Sequence, residues 1–145
     1  GGRTRSVYTI TEEGRAVLRE WTATRTQPPR LEVEALLRLL FADQGSKEDV
    51  LGALDDFESD IREHHQAIVE LMGSYLDGGH PFPHRTHLSV LFATFQIEVF
   101  KTMERWIEFA RDEIDQWPQT EGLGMNERTE VLTRHLAADK SVLDS

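Results

Sequence analysis

The residues best suited to chemistry are three histidines, His80, His84 and His87, in and just after the run Gly78-Gly79-His80-Pro81-Phe82-Pro83. Three imidazoles can hold zinc and leave a fourth position open for water. The set has no obvious fourth ligand, and loop histidines are ordinarily solvated, so no metal or other cofactor is assigned to them. His64 and His65 are adjacent, which on a helix points them about 100° apart. His64 falls on an apolar seam, where a histidine serves as a hydrogen-bonded packing residue or as a pH-sensitive element of an interface. Paired carboxylates such as Asp55-Asp56 and Asp112-Glu113 are ordinary solvated helix faces. Glu34, Glu98 and Glu104 could line a bundle core, but a di-iron bundle also needs two Glu-x-x-His pairs, which are missing. No G-x-S-x-G, phosphate-cradling glycine loop or H-E-x-x-H occurs. The expectation is therefore that the chain is not an enzyme. A metal-dependent helical enzyme built on the histidine loop is the weakest alternative.

Six elements must position whatever site exists. Val7-Tyr8-Thr9-Ile10 has the β-branched and aromatic character of a short strand. Thr11 can then cap a helix whose first turn holds Glu12 and Glu13, where the helix dipole favours carboxylates. Gly14 is costly there unless something approaches the backbone closely. Leu18 and Trp21 lie three apart and can share a buried face. Pro28-Pro29 ends this part. A short amphipathic helix is expected over Leu31 to Ala42, through Val33, Leu36, Leu37, Leu40 and Phe41. Ser46-Lys-Glu-Asp49 reads as a capping box, with aspartate in place of the usual longer acid. It opens a helix reaching Tyr75 or Leu76, whose seam runs Val50, Leu54, Phe57, Ile61, His64, Ile68, Leu71, Tyr75. A second long helix is expected from Thr86 to Trp117. Its main stripe is Leu88, Leu91, Phe92, Phe95, Val99, Met103, Trp106, Ala110, Ile114 and Trp117, broadened by Phe100, Ile107 and Phe109. Two long helices joined by a short loop pack antiparallel. One narrow seam does not cover so wide a stripe, so a homodimer interface through Leu88, Phe92, Phe95, Val99 and Trp106 is expected. Asn126 can cap a last short helix carrying Val131, Leu132, Leu136 and Leu143, the last of which lies outside the residues described below.

The fold class is thus mainly α: long antiparallel helices forming a dimerisation domain, preceded by a strand and a linker helix. Three parts are expected, over 1–27, 28–118 and 119–145.

The first part carries a family resemblance. Arg3-Thr-Arg-Ser-Val-Tyr8-Thr-Ile10-Thr11-x-x-Gly14-Arg15-x-x-Leu18-x-x-Trp21 resembles the end of the winged-helix domain of PadR-family transcriptional regulators. There a basic, tyrosine-containing strand forms the second half of the wing, and a similar T-x-x-G-R turn opens the linking helix. Glu34-Ala-Leu36-Leu37-Arg-Leu39-Leu40-Phe41-Ala42-Asp43 is similar to the family's first C-terminal helix. The resemblance covers roughly residues 3 to 117, specific in its first part and generic later. It implies that Arg3, Arg5 and Tyr8 support the wing's contacts with double-stranded DNA. It also implies a small aromatic effector, with Phe92, Phe95 and Trp106 forming its pocket between dimer-related helices. The helix-turn-helix that reads DNA in that family is not in this sequence and is expected upstream of Gly1. Two solvated surface charges are the plainer account of Arg3 and Arg5.

Composition limits what the chain does unaided. Its 145 residues suit one domain, and its 16 basic against 26 acidic residues give a net charge of −10. So acidic a surface repels phosphates, and any DNA contact must come from a local basic patch. Cysteine is absent, which excludes disulfides, thiolate metal sites and cysteine nucleophiles. There is no apolar run of the ~20 residues needed to span a bilayer and no signal-peptide pattern. A cytoplasmic protein without membrane contact is expected.

Overall fold

The structure, a computed structural model, describes residues 8–139. They are mainly helical: α1 spans Glu12–Ala23, α2 Glu34–Leu40, α3 Lys47–Leu76, α4 Thr86–Asp115 and α5 Glu127–Ala138. The chain divides into two compact units, 1–32 and 33–145. Among the described residues no helix is long and apolar enough to cross a membrane.

The first unit is built around α1. Thr11 is its N-cap, and the Thr11 hydroxyl accepts from the Gly14 backbone N–H at 3.1 Å. A Cβ at Gly14 would sit 3.1 Å from Ile10 Cγ1 and 3.3 Å from the cap hydroxyl. Glycine therefore lets Ile10 fold over the first turn, which is the close approach that justifies its cost. Tyr8, Thr9 and Ile10 are not in a strand, and no strand occurs among the described residues. The expected strand begins at Val7, which lies outside them. α1 buries none of its residues; Leu18 and Trp21 are both exposed, against the expectation of a shared buried face.

The second unit holds the core. α2 is shorter than its apolar pattern, because Leu31 to Val33 stay extended and Val33 offers no side-chain cap. A 3-10 turn, Ala42–Gln44, leads to Ser46, where both halves of the capping box form. The Ser46 hydroxyl accepts from the Asp49 N–H at 3.1 Å, and Asp49 accepts from the Ser46 N–H at 2.9 Å. The far end of α3 closes with equal definition. Gly78 takes φ +82°, its N–H donates to Tyr75 O, and the Gly79 N–H donates to Ser74 O at 2.8 Å. These two bonds satisfy carbonyls that the helix end leaves open.

The hairpin returns antiparallel. Arg111 of α4 pairs with Asp55 and, at 2.7 Å, with Glu58 of α3, and His65 Nδ1 faces Glu104 at 3.4 Å. Lys47, at the start of α3, donates to the carbonyl of Asp115 at 2.9 Å, a cation at the negative end of α4. The core between these helices is Val50, Leu54, Ile61, Ile107, Ala110 and Ile114, with Ala42 beneath. Leu54, Ile107 and Ile114 are the largest fully buried side chains. Each contributes about 1.5–3 kcal/mol by leaving water.

Two sequence expectations change. His64 is exposed and its Nδ1 bonds back to Asp60 O at 2.7 Å; its ring and that of His65 lie 6.4 and 6.3 Å from Phe100 of α4, and His65 also faces Glu104. On α4, Ile107 belonged to the secondary set yet is the most buried residue, at 0% exposure, whereas Leu91, Phe92 and Phe95 are 71%, 63% and 66% exposed. The reason is angular. At about 100° per residue, Ala93, Phe100, Ile107 and Ile114 lie on one face of α4. Leu88, Leu91, Phe92, Phe95, Trp106 and Phe109 lie on another, roughly 130° away. The first face meets α3; the stripe drawn from the sequence crosses both, since it holds the buried Ala110 and Ile114 as well as the exposed Leu91, Phe92 and Phe95.

Candidate functional site

The outer face of α4 changes character along its length. In its first half Leu88, Leu91, Phe92 and Phe95 are exposed, and Val99 is half-buried. In its second half the chain folds back over the same face. Gly122 and Gly124 take φ +72° and +51°, turning the segment after Pro118. Thr120 Oγ1 donates to Gly45 O at 2.8 Å and ties that segment to the start of α3. Asn126 then caps α5, accepting from the Thr129 N–H at 3.0 Å.

Between α4 and α5 lies a groove of about 530 Å³. Its walls are Trp106, Phe109 and Trp117 on one side and Leu123 and Leu132 on the other, with Leu39 of α2 contributing. One ion pair crosses it. The Arg128 guanidinium grips the Glu113 carboxylate with both Nη2 and, at 3.1 Å, Nε. The hydrogen bond from Arg128 holds the Glu113 carboxyl below the usual carboxylate range and raises Arg128 above its own. A forked pair of this kind fixes direction as well as distance.

Of the three residues expected to form a ligand pocket, Trp106 lines this groove, while Phe92 and Phe95 lie on the exposed half of the same face. Trp117, Glu113, Arg128 and Leu132 complete it. Of these only the apolar members had a sequence signal, through helical spacing. The ion pair joins residues fifteen apart across two glycine turns, and no periodicity marks it.

The histidine loop is organised differently from a metal site. His80 is buried, at 8% exposure, and lies 4.2 Å from the Tyr75 ring. Its Nδ1 accepts from the Phe82 backbone N–H at 2.8 Å, so in the neutral ring the proton sits on Nε2, which donates to Ser89 Oγ at 3.0 Å. Both nitrogens are occupied in holding the α3–α4 connection. His84 and His87 are exposed, and among the described residues no three His, Cys, Asp or Glu side chains gather as a metal site. Glu104 is engaged by His65, and Glu34 by Arg38 at 2.7 Å. Glu98 pairs with Lys101, whose hydrogen bond holds the Glu98 carboxyl below its usual range. Of the DNA-contacting candidates, Arg3 and Arg5 lie outside the described residues, and Tyr8 is exposed.

No family model, curated protein or solved structure matches the chain.

Proposed function

We propose that the chain is the C-terminal dimerisation and effector-sensing part of a PadR-like DNA-binding transcriptional regulator. The observation that carries the pairing is the outer face of α4, with Leu88, Leu91, Phe92 and Phe95 all exposed on one side of a long helical hairpin. Contiguous apolar surface of this kind marks an interaction site. A second copy is the simplest partner, because a two-fold pair meets the same patch with itself. The DNA-binding part of the reading rests on the resemblance of residues 3–21, supported by the Thr11 cap and the tight Gly14 turn. On this reading the pair sets the spacing of two winged-helix units on a palindromic site.

Light scattering at micromolar concentration tests the pairing; the expected mass is twice 16.6 kDa, and a mass near 16.6 kDa overturns it. The codons upstream of Gly1 test the regulator. About sixty or more residues with a capped helix-turn-helix pattern are expected, and a start codon close to Gly1 overturns it. The net charge of −10 favours a second reading, a helical dimerisation module with no DNA role. It is the reading left standing if the dimer forms and the upstream segment is absent.

A further inference from the structure

We propose that the groove between α4 and α5 is a binding site for a small, planar, uncharged molecule carrying a hydrogen-bond acceptor. The site lies within one chain and does not depend on the regulator reading.

Size and shape come first. The groove's volume of about 530 Å³ lies within the range of ligand pockets. It exists because α5 stands away from its support. No Cα of α5 comes within 8 Å of a Cα of another helix. Helices packed directly on each other bring their axes to about 8–10 Å. Here long side chains bridge the gap instead, with the Arg128–Glu113 fork as the tie.

The chemistry of the walls then selects the occupant. Trp106, Trp117 and Phe109 offer flat faces suited to offset stacking, so the ligand is planar. Glu113 and Arg128 neutralise each other, so the groove has no unpaired ion to offer a charged ligand, whose desolvation would go uncompensated. The ligand is therefore uncharged. Among the described residues neither the Trp106 nor the Trp117 indole N–H donates to a protein group. A half-buried indole N–H usually finds an acceptor, and here a ligand carbonyl or ring nitrogen can supply it. Apolar concavities are poorly hydrated, so filling one is favourable.

The test uses the full chain and the uncharged naphthalene ketone dye prodan, read by its emission shift and by energy transfer from tryptophan. Saturable binding of one dye per chain is expected at roughly micromolar to tens of micromolar. Leu132→Trp, which fills the groove from the α5 side, is expected to weaken binding by about tenfold or more. Trp117→Phe keeps the flat wall, removes one donor, and is expected to weaken it about three- to tenfold. If circular dichroism shows that Leu132→Trp has lost helix, Trp117→Phe decides alone. The double variant Phe92→Asn, Phe95→Asn lies on the other half of α4 and is expected to bind as the parent does. Four results overturn the proposal: no saturable binding, unchanged affinity in the groove variants, loss of binding in the Phe92/Phe95 variant, or affinity that falls as protein concentration rises. The last would mean that a second copy fills the groove. Light scattering on the same samples reports dimerisation separately, so failure of the groove and failure of the pairing remain distinguishable.

Discussion

The two halves of α4 solve the same problem in different ways. Both carry a second apolar face that α3 does not reach. In the C-terminal half the chain turns back, and α5 overlies Trp106, Phe109 and Trp117 across a groove. In the N-terminal half Leu88, Leu91, Phe92 and Phe95 are exposed among the described residues. The inner face differs too. Ile107, Ala110 and Ile114 are buried in the C-terminal half, while only Ala93 is buried in the N-terminal half. Buried core is thus concentrated where the hairpin's free ends meet, and exposed apolar surface where its connecting loop lies. A helix 30 residues long can carry both because its two halves share a backbone and little else.

Substitutions should separate the halves. Ile107→Ala removes a fully buried side chain at the centre of the core and is expected to cost about 2–5 kcal/mol in urea unfolding. Leu91→Ala, at an exposed site, should cost less than about 0.5 kcal/mol in dilute protein. If copies pair through this face, the cost of Leu91→Ala grows with protein concentration, because association stabilises only the folded chain. Equal costs at both sites and all concentrations would erase the contrast. The double variant Phe92→Asn, Phe95→Asn is the next largest effect. It should scatter light as a 16.6 kDa monomer with its helical circular dichroism intact. A variant that remains a dimer would place the interface elsewhere.

Much of this architecture was legible in the residues, for local reasons. Ser46 with Asp49, Thr11 with Gly14, and Asn126 with Thr129 are short-range devices, and each forms where its residue types predicted. Gly78-Gly79 stops α3 through the backbone conformation that glycine alone takes cheaply. The choice of which α4 face meets α3 was not legible. Periodicity marks both faces, and the stripe it yields mixes them, setting the buried Ala110 and Ile114 beside the exposed Leu91, Phe92 and Phe95. Small residues decided it: Ala93 and Ala110 let the helices close around Ile107 and Ile114. His64 keeps its place on the seam between Ile61 and Ile68, 6.4 Å from the Phe100 ring, but it lies beyond the buried stretch and is exposed. The groove was half legible. Trp106 could be picked out by spacing, whereas Leu132 and Arg128 join it only through the turns at Gly122 and Gly124.

The capping box offers a smaller effect with a pH signature. Ser46→Ala removes the hydroxyl that accepts the Asp49 N–H and is expected to cost about 1 kcal/mol. Bonds from the Ser46 hydroxyl and backbone N–H hold the Asp49 carboxyl below its usual range. A carboxylate whose folded-state pKa is depressed stabilises the fold above its unfolded value, about 3.9. That stability is lost as pH falls through the lower, folded value. The fork from Arg128 gives Glu113 the same sign. Unfolding followed from pH 6 downward should therefore show less loss below about pH 4 in Ser46→Ala than in the parent. Parallel curves would mean that the Ser46 hydroxyl does not hold the Asp49 charge in solution.

The smallest expected effect returns to the uncovered half. Gly73 lies inside α3 near its loop end, and a Cβ built there meets nothing within 4 Å. Gly73→Ala should stabilise the monomer by about 0.5–1 kcal/mol, because alanine loses less backbone entropy in a helix. Gly52, in the core half of the same helix, is equally open and should respond alike. The two responses part company only if a second copy lies over the loop end of the hairpin. An added methyl would then stand between two chains, and Gly73→Ala would weaken association while Gly52→Ala would not. Thermal unfolding at two protein concentrations a hundredfold apart reads the difference. A gain for both variants at both concentrations keeps Gly73 clear of any interface and limits the pairing surface to α4. A gain for Gly73→Ala that reverses in concentrated protein extends that surface onto α3.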